Sequence, residues 1–376
     1  MGEGPGVREI GATTQNEVTK LTSRDRMAAL LRRELPDRMG LYEHFWGETI
    51  PAWITQGYPE GQSPESVFDY DLRPLGWMDT TPFRGVDELI EETDEWRVAR
   101  NGRGAIQKGW KAKSGTPEHI AFDCNTPEKW QTYREPLTQL DPERLDLDNQ
   151  RAGIEAAREA GKFCTLGNVF VFELLRGTLG DVVFLESMLT NPEWIHDFCQ
   201  VHLDFFRTHY GATFDAGVVP DGMFIYEDLG YTNGLFCSPG TLREMILPYY
   251  KELVAFFHSY DLPVILHACG GITKAVPMLV EAGFDCLQPM EAKAGCDVRE
   301  YAREFGDKIS FMGNMDVTVL NTNDKDKVRE EVTAKVTALK EMGASYTFHS
   351  DHSIPPDVHY ETYKFAVELF RELGDY

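Results

Sequence analysis

The fold of this chain is decided at Pro263-Val-Ile-Leu-His-Ala-Cys-Gly-Gly271. Residues 264–266 form a short β-branched and aliphatic run that reads as a buried strand. The double glycine then breaks it and turns the backbone over into a helix expected over 272–282. His267 and Cys269 stand where the strand ends. Residues two apart in extended backbone project to the same side, so the imidazole and the thiol are able to converge on one point. That arrangement suits zinc, which takes nitrogen from His and thiolate from Cys. The same two residues also read as a buried, hydrogen-bonded His beside a small apolar Cys, and their surroundings must decide.

Working outward, α and β units alternate along the C-terminal half. Strands are expected at 163–167, 222–226, 264–266, 284–287, 309–312 and 345–348, with helices at 180–215, 239–260, 272–282, 298–305, 324–342 and 356–373. Upstream, Met39-Gly-Leu-Tyr-Glu-His-Phe-Trp46 reads as a first strand and the loop it feeds. Repeated β-α units with short connections imply a parallel sheet wrapped in helices, and this many in series favours an α/β (β/α)8 TIM barrel. Residues 1–22 read as a polar leader and 23–376 as a single body, with an N-terminal helical and irregular extension. A small β-hairpin insertion is expected over about 95–122, where turn-prone Asn101-Gly-Arg-Gly104 separates two strand-like runs.

Composition narrows the partners. Of the 376 residues, 61 are acidic and 37 basic, for a net charge of −24, which repels nucleic acid and anionic membranes. No apolar run has the length of a membrane span. Seven cysteines at irregular spacing do not form a disulfide framework, so a reducing cytoplasmic setting is expected. A homo-oligomer is compatible with this composition.

In a TIM barrel the chemistry gathers at the C-terminal ends of the strands. Five consecutive strand ends here carry polar groups: Glu227-Asp-Leu-Gly230, His267-Ala-Cys269, Gln288-Pro-Met-Glu291, Gly313-Asn-Met-Asp316 and His349-Ser-Asp-His-Ser-Ile-Pro-Pro356. Glu227 and Asp228 serve either as base, metal ligand or anchor, or as a helix-capping pair. Asn314 and Asp316 either line a substrate pocket or fill turn and cap positions. His352 precedes a rigid Ile-Pro-Pro and is expected to act in the site. His44, Trp46, Trp77 and Gln288 are candidate substrate contacts. Trp53 and Tyr58 are further aromatics able either to stack on a flat substrate or to pack in the core. Cys286 and Cys296 have no His or second Cys at ligand spacing and are expected to be structural.

His267-Ala-Cys-Gly-Gly271, Pro277-Met-Leu-Val-Glu-Ala-Gly-Phe-Asp-Cys-Leu-Gln-Pro289, Phe311-Met-Gly-Asn-Met-Asp316 and Asp351-His-Ser-Ile-Pro-Pro-Asp357 together resemble the uroporphyrinogen decarboxylase superfamily. That superfamily includes zinc-dependent methyltransferases acting on methylcobamide and thiols, and corrinoid-linked demethylase components. The resemblance implies a TIM barrel. Members that decarboxylate the tetrapyrrole carry an Arg-Gln-Ala-Gly-Arg segment after the first strand, whereas this chain has Tyr42-Glu-His-Phe-Trp-Gly-Glu-Thr49, without arginine. The methyltransferase branch binds zinc through His-x-Cys and a later Cys in a Gly-Cys-Gly turn. His267 and Cys269 match the first two ligands, and Asp351-His352-Ser353 stands at the third place, so either His352 substitutes as a nitrogen ligand or the site is altered. The resemblance thus implies zinc on His267, Cys269 and His352, catalytic roles for Asp228, Glu227 and His352, and methyl transfer between a small methylated substrate or thiol and a corrinoid. This chain has no Asp-x-His-x-x-Gly corrinoid motif, so the methylcobamide would ride on a separate carrier protein. Two other functions fit the same residues: metal-independent decarboxylation of a small organic acid by Asp228 and His352, or a non-catalytic binding subunit.

Overall fold

A computed structural model describes residues 21–113 and 115–376; the expected leader lies almost wholly outside them. Eight parallel strands form the centre: β1 (Gly40–Leu41), β2 (Leu72–Trp77), β3 (Phe163–Val169), β4 (Gly222–Tyr226), β5 (Val264–Ala268), β6 (Cys286–Pro289), β7 (Ser310–Met312) and β8 (Tyr346–Phe348). They are paired in the order β1-β8-β7-β6-β5-β4-β3-β2. The two ends of that series meet where the Asp71 N–H donates to the Leu41 carbonyl at 2.8 Å, which closes the ring. This is the expected α/β TIM barrel with an N-terminal helical extension, the helix Ser23–Leu31. Apart from β2, which is exposed over its second half, the strands are buried on both faces, as parallel strands sandwiched between barrel interior and outer helices must be. β5 is registered against β4 through His267↔Tyr226 and against β6 through His267↔Gln288, so these three side chains sit at one level of the rim.

Two elements differ from the sequence expectation. Residues 53–83, rich in aromatics and proline and read from sequence as irregular, contain β2, which runs through Leu72-Arg-Pro-Leu-Gly-Trp77. Pro74 and Gly76 disguise it, since proline removes a ladder donor and glycine weakens a strand; the register against β3 shifts between Pro74 and Trp77. The chain then makes an antiparallel four-stranded sheet of Asp87–Glu92, Trp96–Asn101, Ala105–Trp110 and Glu118–Phe122. Its first strand, Asp-Glu-Leu-Ile-Glu-Glu, is exposed at every position and so lacks the alternation by which a half-buried strand is read. Phe122 seats this sheet on the barrel: a Cβ at Gly180 would fall 2.5 Å from its ring. Among the described residues no helix is long and apolar enough to cross a membrane.

Candidate metal centre at the C-terminal rim

His267 Nε2 and Cys269 Sγ lie 3.0 Å apart. The two-residue period of β5 puts them on one side, and the loop that follows keeps them there. Gly270 adopts φ +84° with its α-carbon pressed against the loop after β4; a Cβ there would sit 2.2 Å from the Gly230 carbonyl carbon. Only glycine allows both. The adjoining loop supplies Asp228, whose Oδ1 is 3.3 Å from His267 Nε2 and accepts from the Cys269 N–H at 3.3 Å. From the loop after β6, Glu291 Oε1 accepts from the Gly270 N–H at 3.0 Å. From the loop after β8 comes His352, beside the fully buried Asp351, which binds the Val317 N–H at 2.8 Å and the Ala292 N–H at 2.9 Å. Asp351 therefore ties three rim loops together and fixes the segment that carries His352.

Two groups of donor atoms result, each mutually within 4.8 Å: Asp228, His267 and Cys269; and Cys269, Glu291 and His352. Cys269 belongs to both. The rim is open to solvent, with the His267 side chain 19% and the Asp228 side chain 40% exposed.

The electrostatics favour a cation. Burial pushes the Cys269 thiol well up, and Asp228 and Glu291 push it further. Burial opposes ionisation of Asp228, but the hydrogen bond and charge of His267 win and hold it down at about 2. Burial pulls His267 down, and its Asp228 and Gln288 partners more than compensate, raising it. A thiol facing two carboxylates will not ionise without a positive charge beside it, whereas a divalent ion replaces the thiol proton and satisfies both carboxylates. Nitrogen, sulfur and oxygen donors are the set that zinc takes. Tetrahedral zinc would want N···S of about 3.6 Å, a small opening of the present 3.0 Å contact. The residues fit the ion.

The family model described as uroporphyrinogen decarboxylase (URO-D) matches residues 174–373, more than half the chain. The chain belongs to the URO-D family. Among its curated relatives, the uroporphyrinogen decarboxylase of Pseudomonas fluorescens is 33% identical over 141 residues, covering 36% of this chain and 38% of that protein. That of Chlorobium phaeobacteroides is 34% identical over 144 residues, with the same coverage of 36% and 38%. The matched segments thus span well under half the length of these relatives. Among solved structures, a methyltransferase from Methanosarcina mazei superposes with TM-score 0.67 over 94% of this chain and 99% of its own, at 15% identity, a likeness of fold.

Within this URO-D barrel the structure sorts the residues singled out from sequence. His267, Cys269 and Asp228 come together as described. His352 reaches Cys269 and Glu291 but does not share one group with His267, so the expected triad His267, Cys269 and His352 is not assembled as such. Its ring lies tilted at 33° against Trp46, centroids 5.6 Å apart. His44 and Gln288 are at the site: Gln288 Oε1 is 2.5 Å from His267 Nδ1, and His44 reaches it through His349. Trp77 is exposed and packs at 4.8 Å on Tyr226, whose ring is 5.0 Å from that of His267.

Glu227 turns away. Adjacent residues of an extended segment face opposite sides, and the buried Glu227 carboxylate accepts from the Phe172 N–H at 3.2 Å and the Glu173 N–H at 3.0 Å, capping the helix Val171–Leu179. Asn314 is fully buried and spent on backbone. At φ +69° it ties loops together, accepting from the Val298 N–H at 3.1 Å and donating to the Met290 and Cys296 carbonyls at 2.6 and 2.9 Å. Asp316 caps the short helix Val317–Leu320 by accepting from the Thr318 N–H at 2.8 Å. Trp53 and Tyr58 are core: Trp53 is fully buried and donates to the Val358 carbonyl at 2.6 Å. Glu291, by contrast, carries no local signal of a ligand, since its partners lie on other strands and no spacing within Gln288-Pro-Met-Glu291 marks it.

Proposed function

We propose that this URO-D family member is a zinc-dependent methyltransferase or demethylase. It would move a methyl group between a small methylated substrate or thiol and the cobalt of a corrinoid held by a separate carrier protein. The observation that carries this reading is the convergence of Cys269 Sγ and His267 Nε2 at 3.0 Å, flanked by Asp228 on one side and by Glu291 and His352 on the other, on the open rim of the barrel. Zinc held there would supply Lewis acidity, lowering the pKa of a substrate thiol or polarising the heteroatom that bears the methyl.

The chain's own residues supply the rest. Asp228 and the amide of Cys269 hold each other, which keeps the thiol aimed at the rim. His352, backed by Trp46, stands beside the thiol as a ligand or as a proton acceptor for an incoming thiol. Trp77, tilted at 39° against Tyr226, presents an exposed aromatic face to a flat substrate. Arg176, near Asp228, is engaged by Glu173 and Asp181, and Lys293 pairs with Glu291. Neither is free to grip a multiply anionic tetrapyrrole, which favours methyl transfer over tetrapyrrole decarboxylation.

Elemental analysis of the purified protein tests the reading. About one zinc per chain is expected, with loss in both His267→Ala and Cys269→Ser. A wild-type protein that binds no zinc even when supplied with it, yet decarboxylates a small organic acid, would replace this proposal with the decarboxylase one.

A further inference from the structure

An imidazole binds a metal through one nitrogen only if the other holds the proton. For His267 the nitrogen on the rim is Nε2, so Nδ1 must carry hydrogen. What decides this lies further inside the barrel, along a line of polar contacts from β5 through β6 to the loops after β8 and β1.

The line begins at a group of fixed polarity. The Ser350 carbonyl only accepts, and it lies 2.5 Å from His349 Nδ1, so that nitrogen carries the proton. Full burial holds the His349 ring neutral, pulling it down to about 3. Its Nε2 is therefore a bare lone pair. Three groups surround that lone pair, and each is able to donate: His44 Nδ1 at 2.9 Å, Gln288 Nε2 at 3.3 Å and the Glu43 carboxyl at 3.3 Å. Burial raises Glu43 to about 8, which leaves it protonated beside the neutral ring. His44 in turn accepts at Nε2 from the Tyr42 hydroxyl at 3.1 Å and the Tyr226 hydroxyl at 3.4 Å. With its amide nitrogen turned to His349, Gln288 has its oxygen left for His267 Nδ1, 2.5 Å away. The orientations of His44 and of the Gln288 amide toward His349 follow from that one backbone carbonyl, whichever way the amide and the rings are first drawn.

We infer that Gln288 and His349 are positioning residues that lock His267 as its Nδ1–H tautomer and so keep Nε2 bare toward Cys269 and the rim. The inference rests on His267 being a metal ligand. Reversing the amide would set the Gln288 oxygen against the bare Nε2 of His349, so the amide is held with its oxygen toward His267 Nδ1, and Nε2 is the nitrogen left to face Cys269, Asp228 and the rim.

Two measurements test it. Long-range proton–nitrogen correlation spectra of histidine-labelled, metal-free protein kept below about pH 8, where Glu43 holds its proton, should show His349 protonated on Nδ1 alone and His267 carrying a proton on Nδ1. His349 found protonated on Nε2 overturns the inference, and this readout holds whether or not the protein takes up metal. Second, zinc affinity by chelator competition should fall by about 10- to 100-fold in Gln288→Leu. It should return to the wild-type range in Gln288→Glu, whose carboxylate still accepts from His267. A folded Gln288→Leu protein that binds zinc as tightly as wild type refutes the lock. A wild-type protein that binds no zinc removes the metal reading alone, and the spectra still decide the tautomer.

Discussion

Replacing Asp71 with alanine should unlatch the barrel. β1 is two residues long, and its backbone meets β2 through the bond from Asp71 to Leu41. The Asp71 side chain doubles that seam. Its Oδ2 accepts from the Leu41 N–H at 2.8 Å and from Arg38 at 2.8 Å, and its Oδ1 accepts from Arg26 at 2.7 Å and from Arg38 at 2.9 Å. The carboxylate is fully buried, while the Arg26 side chain is 2% and the Arg38 side chain 17% exposed. Removing one partner of a buried ion pair costs about 3–5 kcal/mol. Arg26 retains Asp37 at 2.8 Å, and Arg38 regains some water, so the lower end of that range applies, about 3 kcal/mol. Urea unfolding followed by tryptophan fluorescence, for wild type, Asp71→Ala and Asp71→Asn, measures it. The Asn variant, which keeps the shape and one acceptor, should recover part of the loss. Zinc content should be unchanged in both, because His267, Cys269, Asp228, Glu291 and His352 all follow other strands. A loss below about 1 kcal/mol, the scale of a surface pair, would mean that the seam does not hold the ring closed.

Glu227→Ala should cost about 1–3 kcal/mol in the same unfolding assay, the penalty for leaving the Phe172 and Glu173 amides of a buried helix start without an acceptor. Its zinc content should match wild type, and a protein stripped of zinc by this change would put Glu227 back in the site. At the opposite end of the barrel, the hydrogen bond to Asp285 at 2.7 Å raises His258 above its ordinary value. Because the folded value is the higher one, the bond's contribution is fully present below about pH 6.5 and disappears as pH rises through the folded value. The pair is partly exposed, so about 0.5 kcal/mol is expected. The stability gap between wild type and His258→Gln should therefore be larger at about pH 6 than at about pH 9, and a gap that widens on the alkaline side contradicts the sign.

What the sequence made legible, and what it hid, follows from the range over which each signal acts. β5 announces itself because Val264-Ile-Leu266 is apolar on both faces and the two glycines stop it. The His267 and Cys269 pair was visible for the same local reason, a period of two within one strand. That period also required that Glu227 and Asp228 face opposite ways. Which one faced the rim depended on the strand's register against β5, set by pairings such as Tyr226↔His267 that no local pattern records. β2 was lost to Pro74 and Gly76, which speak against a strand locally, while its place in the barrel comes from pairing with residues about ninety positions on, such as Leu72 with Phe163. The site obeys the same rule. Gln288 and His349 are 61 positions apart and His44 and His349 are 305 apart, so the polar line that orients His267 exists only after closure of the barrel. Glu291 is invisible until the loops after β5, β6 and β8 meet. Cys269 is the residue common to both donor groups, and its strand is the one the sequence marks most clearly. The thiol is therefore where local pattern and long-range assembly coincide, and a substitution there disrupts both groups at once.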